Sequence, residues 1–153
     1  MARLAVRVAV VVSRYNELVT TKLLDGAQQC LRDKGLPDDH VDVYWVPGAF
    51  ELPVAAEGAA ATGRYGAIVA LGCVIRGETP HFEYVAGEAA RGLGNVALAH
   101  RIAVGFGVLT TDDQTQALAR AGGAAGNKGY EAAEAALLTA DVLSRLARAA
   151  PRD

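Results

Sequence analysis

Cysteines are scarce in this 153-residue sequence: only Cys30 and Cys73 occur, and they form no C-x-x-C pair. Two isolated thiols exclude a disulfide framework and a thiolate zinc site, so we expect both to be reduced. Long apolar runs are also missing. The longest, Val8–Val12 and Ala67–Ile75, are far shorter than the ~20 residues of a membrane helix. Without a secretory core or cleavage site, the sequence predicts a cytoplasmic protein with no membrane partner.

Excess positive charge is absent as well. The chain has 15 Lys and Arg residues and 17 Asp and Glu residues, which gives a formal net charge of -2. Proteins that bind the nucleic-acid backbone are usually strongly basic. Hydrophobic residues reach 52% although aromatics supply only 6%, which is typical of a folded globular chain. We therefore expect residues 1–153 to form one domain with no nucleic-acid partner.

Strand and helix patterns alternate along the chain. Apolar runs over Leu4–Val12, which is rich in valine, and Ala67–Cys73 predict buried strands, and two further strands are predicted over Val41–Val46 and Ala103–Leu109. Apolar residues at helical spacing predict helices over Asn16–Lys34, Phe50–Thr62, Pro80–His100, Asp112–Arg120 and Tyr130–Arg148. This order predicts an α/β fold, a single-domain three-layer α/β/α sandwich around a four-stranded parallel sheet. The segment Ala121–Gly129 shows the weakest pattern.

Ligands of such a sheet bind beyond the carboxyl ends of its strands, and familiar nucleotide motifs are missing there. Ser13–Asn16 follows the first strand without G-x-G-x-x-G, and Gly105–Gly107 is a lone G-x-G typical of a tight turn. Gly122–Lys128 fails as a phosphate loop, because Asn127 separates the last glycine from the lysine and a helix precedes it. We expect no dinucleotide cofactor.

The turn after the third strand carries the most chemistry. Thr79 is a natural N-cap and Pro80 suits the first helical position, which puts His81 in the first turn. Free backbone N–H groups and the helix dipole predict an anion site around Gly77–Thr79 that fits a phosphate. The same dipole favours a neutral imidazole that accepts a proton. An ordinary polar role for His81 stays open.

Other strand ends allow two interpretations each. The loop Pro47–Pro53 can turn backbone amides and Glu51 toward the same cleft to bind hydroxyls, or Glu51 can simply suit a first turn with Phe50 in the core. Cys73 is more typical of packing than of a nucleophile. His81–Glu83 matches the H-x-E of zinc deaminases, but the P-C-x-x-C partner is missing, so we expect no metal.

Five ordered blocks carry a resemblance that runs from about Val10 to Ala147. They are Ser13–Asn16, Val46–Pro53, Gly72–Val85, Phe106–Thr111 and Arg120–Gly129. Together they resemble the 6,7-dimethyl-8-ribityllumazine synthase family of riboflavin biosynthesis. The resemblance implies a flavodoxin-like fold and the condensation of 5-amino-6-(D-ribitylamino)uracil with 3,4-dihydroxy-2-butanone 4-phosphate. Imine formation, phosphate elimination and ring closure would need no metal or organic cofactor.

The resemblance also implies roles for the residues that match the pyrimidine and ribityl sites. Tyr15 would stack against the pyrimidine, and Cys73-Val74-Ile75 would contact it through their backbone. The segment Ala49-Phe50-Glu51 would hold the ribityl chain. Tyr15 stands where many members carry Phe or Trp, which preserves stacking.

On the phosphate side, the resemblance implies that Glu78 and Thr79 bind the phosphate with the helix start. Arg120 would supply counter-charge, and His81 would transfer protons. Phe106 and Lys128 would complete the pocket.

Assembly is implied by the resemblance too. The family forms its sites between subunits of a homopentamer, so the side chains Phe106, Arg120 and Lys128 would reach the neighbour's cleft. The chain begins a few residues before the first strand, which predicts a short version of the extension that pairs with the next subunit. The loop Gly126–Gly129 lacks an insertion common in pentamer-only members, which favours a sixty-subunit shell. Pentamer or shell, and enclosure of riboflavin synthase, stay open.

Two other functions remain as alternatives. A non-catalytic relative would bind a flavin or lumazine without turnover, but the presence of His81, Arg120 and Lys128 disfavours it. A flavodoxin-like electron carrier shares the parallel sheet, yet it explains neither Arg120 nor His81.

Overall fold

A parallel sheet forms the centre of the protein, whose computed structural model describes residues 6–149 and 151. Its strands are β1 (Val8–Ser13), β2 (Val41–Val46), β3 (Ala67–Ile75) and β4 (Ala103–Thr111). They lie in the order β2-β1-β3-β4, and every neighbouring pair runs parallel. The apolar runs become the central strands because β1 and nearly all of β3 are buried on both faces. The predicted four-stranded parallel sheet is confirmed.

Helices cover both faces of this sheet. In the described part of the chain they are α1 (Glu17–Asp33), α2 (Leu52–Ala61), α3 (His81–His100), α4 (Gln114–Ala119) and α5 (Lys128–Arg148). One apolar cluster joins α1, α4 and α5 to the sheet, and a second joins α2 and α3 to the opposite face. The three-layer α/β/α sandwich is therefore confirmed. No helix among the described residues is both long and apolar enough to cross a bilayer.

Several element boundaries differ from the sequence predictions. The predicted first strand starts at Leu4, which lies outside the described residues. The predicted helix from Phe50 begins instead with a 3-10 turn over Ala49–Glu51, and α2 follows it. Thr79 does not cap α3: the helix begins at His81, and its preceding residue makes no side-chain cap hydrogen bond.

A short hairpin fills the segment with the weakest sequence pattern. Its strands are β5 (Ala121–Gly123) and β6 (Gly126–Asn127). Gly122 and Gly126 adopt positive φ angles of 107° and 86°, a region that glycine enters without steric cost. The Asn127 side chain then caps α5 and donates a hydrogen bond to a carbonyl of α1. The hairpin thereby fixes where α4 ends and α5 begins.

Candidate active site

An open cleft lies beyond the carboxyl ends of β1, β2 and β3, next to the start of α3. Its volume is about 750 Å³, within the range of small-molecule sites. It is lined by Tyr15, Pro47, Gly48, Ala49, Phe50, Glu51, Cys73, Val74, Ile75, Gly77, Thr79, His81, Phe82, Tyr84 and Val85. The strand ends that the sequence marked as candidates therefore meet at one place.

Asn16 joins two walls of the cleft. It has a left-handed φ of 64°, which asparagine tolerates better than most residues. Its side-chain Nδ2 donates a hydrogen bond to the carbonyl oxygen of Cys73 (2.8 Å). The neighbouring Tyr15 donates its backbone N–H to the carbonyl of Pro47 (3.0 Å). These two bonds join the loop after β1 to the end of β3 and to the loop after β2. Tyr15 is 73% exposed.

The 3-10 turn over Ala49–Glu51 forms a second wall. The N–H of Glu51 donates to the carbonyl of Gly48 (3.1 Å), and Ala49 is buried beneath the turn. Phe50 is 56% exposed and lines the cleft. The alternative that placed Phe50 in the core is therefore wrong, and both Phe50 and Glu51 are available to a ligand.

Cys73 lies at the base of the cleft and is 2% exposed. Burial raises the pKa of its thiol from 9.0 to about 11. A thiol that stays protonated at neutral pH is a poor nucleophile. The structure thus agrees with the packing role expected for Cys73.

The third wall is the loop after β3 and the first turn of α3. Gly77, Thr79 and His81 line the cleft there, whereas Glu78 is exposed outside the lining. No lysine or arginine is among the described residues that line the cleft. The nearby Arg76 is occupied by two carboxylates, those of Glu83 and Asp112. Among the described residues that line the cleft, the predicted anion site at Gly77–Thr79 therefore has helix N–H groups but no cationic side chain beside them.

Tyr84 and Val85 were not predicted as site residues. They follow His81 at the i+3 and i+4 positions, which places all three on one face of α3. Tyr84 is 73% exposed. Helical spacing from His81 is the sequence signal that would have found them.

The remaining predicted residues lie away from the cleft. Phe106, on the edge strand β4, is 44% exposed and lines a separate groove of about 210 Å³ against α3. Arg120 and Lys128 are exposed at the hairpin, where the Lys128 N–H donates to the Arg120 carbonyl (2.8 Å). A single chain therefore does not bring these three side chains to His81.

The cleft offers proton-transfer and binding chemistry. His81 supplies an imidazole and Glu51 a carboxylate, both at the lining. The described residues include no cluster of three or more His, Cys, Asp or Glu side chains suited to a metal ion.

Comparison with known proteins decides the family. The family model for 6,7-dimethyl-8-ribityllumazine synthase matches residues 5–144. The chain belongs to this family. A 6,7-dimethyl-8-ribityllumazine synthase from Anaeromyxobacter dehalogenans (strain 2CP-C) is 55% identical over 146 residues, which cover 95% of this chain and 90% of the relative. The resemblance inferred from the five blocks is confirmed.

Among solved structures, a de novo designed Rossmann fold protein aligns with 73% of this chain and 90% of its own. It is 18% identical with a TM-score of 0.38, a likeness too low to carry an argument. Membership of the lumazine synthase family makes the chain an enzyme of riboflavin biosynthesis that acts on small molecules. The roles of individual residues stay predictions.

Proposed function

We propose that this cleft carries out the lumazine synthase condensation, joining the ribitylaminouracil to the four-carbon phosphate by imine formation, phosphate elimination and ring closure. The observation that carries the proposal is that the predicted pyrimidine and ribityl residues line one continuous space together with Thr79 and His81. Orientation of two bound reactants supplies a large part of the rate in such bimolecular reactions.

The pyrimidine site rests on how the strands end. The β1–β3 pairing stops at Leu71, whereas the β3–β4 pairing continues to Ile75. The segment Cys73-Val74-Ile75 therefore has no strand partner on its β1 side. The Cys73 carbonyl accepts a hydrogen bond from Asn16 there, and backbone groups that remain free on this side can bond a planar heterocycle. The exposed Tyr15 ring next to this edge can stack on the same heterocycle. The segment Ala49-Phe50-Glu51 then lies where it can hold the ribityl chain, and the Glu51 carboxylate can accept hydrogen bonds from the ribityl hydroxyl groups.

The phosphate site needs positive charge that the cleft lacks. Thr79, Glu78 and the start of α3 would bind the phosphate, and His81 would transfer protons next to it. Since Arg76 is already paired with two carboxylates, a phosphate dianion would lack a counter-charge. A bidentate guanidinium is well suited to that task.

We therefore propose that a second copy of the chain completes the site. Arg120 of the neighbour, which forms no ion pair among the described residues, would supply most of the missing charge. Lys128, whose Nζ lies 3.1 Å from Glu131 within one chain, would add to it, and the exposed Phe106 would close the apolar side. A cyclic homo-oligomer repeats such a contact around a ring, in agreement with the expected homopentamer. A sixty-subunit shell, an enclosed riboflavin synthase, the single domain over residues 1–153 and the cytoplasmic location stay predictions.

A two-substrate assay tests the proposal. The purified chain is mixed with both substrates, and lumazine absorbance is followed against a blank without enzyme. We expect turnover well above the blank, and in Arg120→Ala a KM for the phosphate substrate raised by about 10- to 100-fold, because a charged hydrogen-bond partner is lost. Arg145→Ala, which removes an exposed ion pair with Asp141, is the matched control. No turnover together with tight riboflavin binding would favour the non-catalytic relative.

A further inference from the structure

We propose that Arg76 is a positioning residue that holds the loop Gly77–Pro80 and the start of α3 in the geometry required by the phosphate substrate. This inference rests on the proposed function. Arg76 does not line the cleft, so it acts through the residues that it contacts.

The Arg76 guanidinium bridges two separate elements. Its Nη1 donates to Glu83 in the first turn of α3 (3.0 Å), and its Nε donates to Asp112 in the turn after β4 (3.2 Å). Its Cζ also lies 4.4 Å from the centre of the Phe82 ring. The backbone N–H of Arg76 donates to the carbonyl of Thr111 (2.8 Å). One residue thus ties the end of β3 to both α3 and the β4–α4 turn.

Among the described residues, Gly77, Glu78 and Thr79 make no side-chain hydrogen bond and no backbone hydrogen bond to another element. A Cβ on Gly77 would meet no atom within 4 Å, and Thr79 does not cap α3. Both residues line the cleft. The position of the loop therefore depends on its two ends, Arg76 on one side and the first turn of α3 on the other.

Arginine is suited to this arrangement in a way that lysine is not. Its planar guanidinium presents several N–H groups in fixed directions and stacks on an aromatic ring, whereas an ammonium is a compact point charge. Both ion pairs of Arg76 are exposed, and exposed ion pairs contribute little to stability. We therefore expect substitution of Arg76 to change phosphate binding more than it changes stability.

The test compares Arg76→Gln with Arg32→Gln in the full-length chain. Arg32 forms one exposed ion pair with Asp38 at the opposite edge of the sheet. Arg76→Gln is expected to raise the KM for the phosphate substrate, and the inhibition constant of inorganic phosphate, by about three- to tenfold. In Arg76→Gln the KM for the uracil substrate is expected to stay within about twofold of its value in the parent chain. In Arg32→Gln the KM values for both substrates are expected to stay within about twofold as well. Arg76→Lys recovers only part of the loss.

Asp112→Asn separates position from charge. It weakens the bridge and removes one negative charge beside Arg76, which makes the local net charge more positive. A positioning role therefore raises the KM for the phosphate substrate, whereas a simple charge effect lowers it. A lowered KM, or both KM values of Arg76→Gln rising together, would overturn the inference. If Arg76→Gln does not fold, the KM values of Arg76→Lys and Asp112→Asn for the phosphate substrate test the inference instead. If the parent chain shows no turnover, the proposed function has failed, and binding of inorganic phosphate to the parent and to Arg76→Lys still tests Arg76.

Discussion

A close backbone approach between α1 and α5 at Gly129 gives a specific prediction for Gly129→Ala. A Cβ on Gly129 would lie 2.0 Å from the carbonyl oxygen of Leu23 and 2.7 Å from its carbonyl carbon. Both atoms belong to the α1 backbone, so no side-chain rotation relieves the clash. The two helices would have to separate by about 1.4 Å to reach the 3.4 Å of ordinary contact.

The size of the effect follows from two opposing contributions. Overpacking costs about 1–3 kcal/mol, with the upper end expected for a rigid backbone contact, and alanine regains about 1 kcal/mol of helix propensity over glycine. We expect Gly129→Ala to lose about 2 kcal/mol. Gly58→Ala in α2 is the matched control, because its Cβ would meet nothing within 4 Å; we expect it to gain about 0.5–1 kcal/mol.

The free energy of unfolding of both variants is measured by urea titration monitored by circular dichroism. One protomer concentration is used throughout, because assembly stabilises the folded chain. The two variants are expected to differ by about 3 kcal/mol, which corresponds to about 6–12 °C in Tm. Lys128 precedes Gly129, so the KM for the phosphate substrate is also expected to rise. Equal stability of Gly129→Ala and Gly58→Ala would refute the reasoning.

Two further predictions concern the His81 imidazole and the two buried thiols. His81→Ala is expected to lower kcat by ~10²- to 10⁴-fold, the usual contribution of acid–base catalysis, with little change in Tm because His81 is exposed; steady-state kinetics with less than a tenfold loss would contradict its role. Burial raises the pKa of Cys30 and Cys73 from 9.0 to about 11. Their protonated thiols therefore stabilise the fold fully below pH 9, and this contribution is lost as the pH rises to about 11. Urea unfolding between pH 9 and pH 11 is expected to show that the free energy of unfolding falls less steeply with pH in Cys30→Ala/Cys73→Ala than in the parent chain. An equal slope in the two proteins would contradict the role given to the thiols.

The sheet and most helices could be predicted from sequence because burial imposes its own periodicity. The predicted strand Val41–Val46 has the bounds of β2. The valines of β1 predicted a strand buried on both faces, and all residues of β1 are buried. The predictions failed where local geometry, not burial, decides. The 3-10 turn at Ala49–Glu51 and the missing Thr79 cap are examples, since neither changes the apolar pattern.

The site was predicted only in part for a different reason. Residues after β1, β2 and β3 meet because the carboxyl ends of parallel strands share one edge. Asn16, which ties that edge together, carries no periodic signal, although asparagine before a helix is a common cap. Arg120, Lys128 and Phe106 follow other elements, and their predicted part in the site depends on a contact between copies that a single chain's pattern does not encode.

Mixing two defective variants tests most directly whether the site forms between subunits. Arg120→Ala keeps an intact cleft and His81→Ala keeps an intact hairpin, so an interface with one of each restores a site. The two variants are refolded together in equal amounts and assayed at a phosphate-substrate concentration well below the KM of Arg120→Ala. About one quarter of the parent activity is expected, because each site has one chance in four of combining an intact cleft with an intact neighbouring hairpin. As a control, a chain that carries both His81→Ala and Arg120→Ala is mixed with an equal amount of the parent chain. The mixture is expected to keep about one quarter of the parent activity if sites form between subunits, and about one half if each chain holds a complete site. Activity of the mixture equal to the mean of the separate variants would contradict the account.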